Sequence, residues 1–135
     1  MRARARSNAK PRKHTGPTAG VRQLVLARDG ACLTCGTTIG LVVNHRKTGM
    51  GGRRPQTPEW LTTACWADNE RYENVAQAVA YVAGWKLRNG LDPCRTPVRD
   101  RDGHQWLLRP DGTRELLPTM SDYIPEEQLR RKVWP

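Results

Sequence analysis

The apolar positions of this chain come in short bursts, each with its own period. Val21, Leu24, Val25 and Arg28 fall at helical spacing and Asp29-Gly30 stops the pattern, which predicts a first helix over residues 18–28. Leu41-Val42-Val43 is a β-branched run leading into Asn44-His45, so residues 37–45 read as a hairpin turning near Gly40. Residues 46–59 hold three glycines and two prolines among Arg46, Lys47, Arg53 and Arg54, and read as a loop. Helical spacing returns at Tyr72, Val75, Ala76, Val79 and Ala83. It predicts a main helix starting near Asp68 or Asn69 and ending at Gly84. Residues 85–89 suggest a short strand. Residues 104–109 and 113–117 flank Pro110-Asp111-Gly112 as a second hairpin. Residues 119–135 read as a tail with one or two helical turns around 125–132. The pattern is α+β, without an internal repeat.

Composition changes that picture in one respect. A chain of 135 residues makes one domain with tails, but it has no phenylalanine and a mean hydropathy of −0.74. So thin a core gains from a metal staple. Net charge is +10 and the isoelectric point about 10.2, which points first to a polyanionic partner, nucleic acid being the usual one. The charge is clustered: six Arg or Lys lie between Arg2 and Lys13, and no acidic residue precedes Asp29. Residues 1–20 therefore read as a basic disordered arm that neutralises phosphates, or as a solubilising start. No stretch is apolar enough for a signal peptide or a membrane span, so a cytoplasmic protein is expected. There, paired cysteines serve more often as metal ligands than as disulfides.

Cys32-Leu33-Thr34-Cys35-Gly36 lets two thiolates face one metal, and Cys65 at a helix start supplies a third. The fourth ligand is open between Asp68, which can equally cap the helix, and the distant Cys94. The bland alternative is four small buried hydrophobes. A redox reading of Cys32 and Cys35 fails for want of a βαβ unit. His45 is the histidine of the central region, since His14 lies in the leader and His104 in the late hairpin.

Taken together, the Cys-x-x-Cys-Gly knuckle, Asn44-His45-Arg46, the run Thr48-Gly49-Met50-Gly51-Gly52, Cys65-Trp66-Ala67-Asp68-Asn69 and Ala80-Tyr81-Val82-Ala83-Gly84-Trp85 resemble one family. This is the zinc-knuckled HNH endonucleases of the His-Me finger (ββα-metal) group, above all the small ones of actinobacterial phages. The likeness covers residues 21–98. It implies a ββα-metal core stapled by structural zinc on Cys32, Cys35 and Cys65, with Asp68 standing where the family has a further cysteine and preferred to Cys94 as fourth ligand, residues 99–118 as an accessory hairpin and 119–135 as the tail. It also implies His45 as general base, with Asn44 and Asn69 beside a catalytic Mg²⁺ or Mn²⁺. Arg46, Lys47, Arg53 and Arg54 become DNA contacts, and the glycines allow close approach to double-stranded DNA. Work beside a phage packaging terminase is the implied setting. The family's middle asparagine is missing, because no asparagine lies between His45 and Asn69; Gln56 or Glu59 is left for its place. The rival reading is a zinc-knuckle DNA-binding protein that cuts nothing. A packaging-machinery module without DNA contact fits the charge poorly.

Overall fold

The computed structural model describes residues 16–48, 54–75 and 77–118. The basic leader up to His14, the glycine run 49–52, Arg53 and the tail therefore lie outside the described residues. The architecture is α+β: helices and two antiparallel sheets. Helix α1 spans Ala19–Asp29, as its periodicity predicts. Thr18 Oγ1 accepts the Val21 N–H at its start, and the Gly30 N–H closes on Leu26 O at its end.

Strands β1 (Leu41–His45) and β2 (Leu61–Cys65) form the first sheet, in the register Leu41↔Cys65 to His45↔Leu61. This corrects the hairpin expected over residues 37–45. Residues 37–39 are spent on the knuckle instead: Thr37 O accepts the Cys32 N–H, and Thr37 Oγ1 accepts the Ile39 N–H. The true partner strand arrives from beyond the loop, introduced by a 3₁₀ turn at Pro58–Trp60. Its sequence Leu-Thr-Thr-Ala-Cys shows no alternation, because residues 61 to 64 are all buried and both faces of β2 are covered.

Helix α2 (Trp66–Asn74) follows β2 directly and packs on both strands. The single long helix expected here is two, with α3 at Gln77–Val82. Val75 stands 82% exposed at the break instead of facing the core. Beside the break, side-chain amides take helix carbonyls: Asn74 Nδ2 donates to Glu70 O and Gln77 Nε2 to Glu73 O. Gly84 ends α3 at a φ of 78°, where a Cβ would stand 1.9 Å from Pro97 O. Residues 85–89 form no regular strand; Leu87 alone makes a parallel bridge, to Lys47.

The second sheet contains the expected hairpin, β4 (Gln105–Leu108) with β5 (Arg114–Leu116). A third strand, β3 (Val98–Arg99), adds to its edge. Trp85 joins the two halves, stacking on Tyr72 at 4.8 Å and donating its Nε1–H to Arg99 O. Among the described residues, no helix is long and apolar enough to cross a membrane.

Candidate metal centre and histidine site

The knuckle forms because Gly36 N–H bonds back to Cys32 O at 2.9 Å, turning both thiols the same way. Gly36 turns at a φ of 75°, which favours glycine, and the Arg101 guanidinium lies across it, reaching Cys35 O at 3.4 Å. The third thiol caps α2, Cys65 Sγ accepting the Asp68 N–H, and so carries Asp68 to the same place. Ligand atoms of Cys32, Cys35, Cys65 and Asp68 all lie within 4.8 Å of one another, a possible metal site. Cys35 and Cys65 sulfurs are 3.8 Å apart and Cys32 Sγ lies 3.5 Å from Asp68 Oδ2. Thiolates about 2.3 Å from a tetrahedral zinc stand about 3.8 Å apart, so the spacing fits. Cys94, the alternative fourth ligand, is outside this cluster and sits near Arg46, Glu59 and Asp92.

Protonation within the cluster is uneven. Burial acts to raise the Asp68 carboxyl, but bonds from Thr34, Cys35, Cys32 and Cys65 outweigh it and hold it low. Burial likewise opposes Cys32, and the Thr34 hydroxyl with nearby backbone N–H groups overcomes it, so that thiol is lowered. At Cys35 a backbone bond at Thr37 acts downward, yet burial and the neighbouring Cys32, Cys65 and Asp68 push it up to about 12. Four acidic groups crowd one point, and protons on some of them relieve the repulsion. A bound cation would take the protons' place.

His45 occupies the opposite end of the same hairpin, at the last pair of the register. It is half-buried, and its Nε2 lies 2.6 Å from Gln56 Oε1. An amide oxygen only accepts, so the proton belongs on Nε2 and Nδ1 keeps its lone pair. Burial lowers the His45 pKa; the Gln56 bond opposes this, while Arg54 and Lys86 reinforce it and Glu73 opposes it. The ring is therefore neutral at neutral pH. Lys86, 1% exposed, donates to His45 O at 2.8 Å and pairs with the Glu73 carboxylate on α2.

The other sequence-predicted residues divide. Asn44 is buried, with Nδ2 donating to Thr62 Oγ1 and Trp85 O, each at 3.0 Å, while its Oδ1 finds no partner among the described residues. Asn69 is half-buried one turn before Glu73 on α2. Glu73 is linked to the histidine's end of the strand through Lys86, which bonds both its carboxylate and His45 O, and its charge acts on the His45 ring. Lys47 lies on the rim, 6.0 Å above Trp60, and half-buried Arg54 is close enough to His45 to act on it.

Arg46 corrects the sequence reading. It is 0% exposed, and its guanidinium donates to the carbonyls of Gly84, Glu59, Pro93 and Thr96 at 2.8–2.9 Å. Burial, then Arg28, lowers it to about 9, which leaves it cationic and committed to the fold. No phosphate can reach it. Sequence reasoning missed Lys86, which carries no motif and follows Trp85 in what read as a strand.

Comparison with protein-family models, with curated proteins and with solved structures finds no match for this chain.

Proposed function

We propose that the chain is a small zinc-stapled HNH-type endonuclease that hydrolyses phosphodiester bonds of double-stranded DNA, with His45 as general base. The observation that carries this reading is the hydrogen bond from His45 Nε2 to Gln56 Oε1. It supplies an orienting amide where the family's asparagine is missing, and it leaves Nδ1 as the base. Water's proton passes to Nδ1, its oxygen bonds to phosphorus, and the bond to the 3′-oxygen breaks. Lys86 holds the His45 carbonyl and fixes the strand end against α2. Zinc is the ion that suits three thiols and a carboxylate at this spacing.

Asn44 Oδ1, Asn69 and Glu73 are the oxygen donors that would hold a second, divalent cation. The unpartnered Asn44 Oδ1 and the Glu73 carboxylate suit Mg²⁺ or Mn²⁺. When bound, such an ion supplies charge neutralisation at the phosphate and leaving oxygen. The resemblance adds a phage-infected cytoplasm and a packaging terminase as the setting. One observation favours the rival, a DNA binder that does not cut: the Glu73 charge is already met by Lys86. Supercoiled plasmid separates the two. The nuclease nicks it with Mg²⁺ or Mn²⁺ and not without, whereas the binder retards it and leaves it intact under every divalent ion.

A further inference from the structure

The segment after α3 lies against the end of β1 residue by residue. Gly84 O accepts from Arg46, Trp85 O accepts from Asn44, Lys86 Nζ donates to His45 O, and Leu87 N–H donates to Arg46 O at 2.7 Å. The parallel bridge of Leu87 to Lys47 then carries the next residue to the rim beside Thr48. That residue is Arg88. Its guanidinium lies over the Tyr81 ring, 4.4 Å from the centroid, and the Tyr81 hydroxyl is 3.4 Å from Thr48 Oγ1.

Arg88 differs from three other exposed arginines. Arg95, Arg101 and Arg109 pair with Asp92, Asp102 and Glu115, whereas among the described residues exposed Arg88 has a ring and no carboxylate. A guanidinium lying on a ring is pre-ordered and keeps its N–H edge for a phosphate. Lys47 repeats the arrangement more loosely over Trp60, two residues past His45.

We propose that Arg88 on Tyr81, with Lys47 over Trp60, forms a two-point phosphate grip on the rim of the His45 site, holding the backbone of double-stranded DNA across the end of β1. The proposal deepens the endonuclease reading and rests on it. Arg114 offers a matched control: it too lies on a ring, 3.7 Å from the Trp106 centroid, but it faces a hollow of about 290 Å³ that Asp29, Asp100 and Asp102 also line.

The test is the affinity of full-length His45→Ala protein, which leaves DNA uncut, for a labelled duplex across a salt series. Adding Arg88→Ala should weaken binding about tenfold near 0.1 M salt and reduce the log–log salt slope by about 0.9, one phosphate contact. Arg88→Lys should keep the slope, and Arg114→Ala should change binding less than about twofold. The grip is overturned if Arg88→Ala leaves affinity and slope unchanged, or if Arg114→Ala loses as much. With wild type cutting plasmid, that failure removes the grip alone. A parent protein that binds no duplex removes the endonuclease reading as well.

Discussion

One hairpin is held at its two ends by different chemistry. At the Leu41↔Cys65 end, three thiols and Asp68 converge, and a single ion would tie the turn, the strand and the helix together. At the His45↔Leu61 end there is no such cluster among the described residues, and buried cations do the holding. Arg46 gathers four carbonyls, Lys86 joins His45 to Glu73, and Arg28 pairs with Asp29 while donating to Pro58 O and Leu61 O. The apolar core of the described residues is built from single aliphatic side chains such as Val25, Leu61, Leu87 and Leu108, with Tyr72 and Ala80 clustered against Val79 and Trp85. The contrast teaches why so polar a chain can fold. Each end is fixed by a few directional contacts, and the end fixed through protein groups alone keeps a neutral histidine at its edge.

The largest effect should come from breaking the first end. Purified protein should hold about one zinc per chain, and Cys32→Ser or a strong chelator should abolish the cooperative thermal transition, because the ion's binding energy is folding energy. Elemental analysis and circular dichroism check this. Zinc-free protein that melts unchanged would remove the staple from the account.

Next comes the second end. Arg46→Ala takes the donor from four carbonyls, those of Gly84 and Pro93 in buried bonds and those of Glu59 and Thr96 in part-buried ones, and should cost about 3–5 kcal/mol in urea unfolding. Arg46→Lys should rescue only part, since a single ammonium cannot reproduce the planar fork. A shift under about 1 kcal/mol would mean that the buried cation is not what holds this end.

A smaller effect sharpens the histidine's role. Gln56→Ala should lower the cleavage rate about tenfold while duplex affinity stays put, because it frees the ring and touches no phosphate contact. Gentler still is the pH response. The His45 pKa is lowered by burial above all, so the ring stays neutral, and cleavage should persist, somewhat below the ordinary histidine value of about 6.5 before falling with acid. The same sign applies to stability: this contribution is present above the unfolded pKa and is lost as pH falls through the folded one. A rate that rises as pH falls through this range would deny His45 the role of base.

How much of this was legible follows from where the signal lay. Helix α1, the late hairpin and the knuckle were readable because their information is local: a capped helical period, a Pro-Asp-Gly turn and a Cys-x-x-Cys spacing. Strand β2 was not, since burial on both faces erased its alternation, and neither was the break at Val75, which involves side-chain amides bonding to helix carbonyls. Arg46 was misread because sequence position beside His45 cannot distinguish a cation facing solvent from one sunk among carbonyls. Gln56 entered only by elimination, and its contact to His45 needed the loop's path. Arg88 and Lys86 depend on how residues 84–88 lie along β1, which no short motif records.

On the proposed function, His45 performs chemistry at an end of the hairpin whose fold does not depend on it. The most direct measurement compares His45→Ala with wild type for zinc content, melting, duplex affinity and nicking of supercoiled plasmid in Mg²⁺ or Mn²⁺. The variant should match wild type in the first three and lose nicking by at least about a hundredfold, the scale of a missing general base. Nicking by His45→Ala at the wild-type rate would contradict the account.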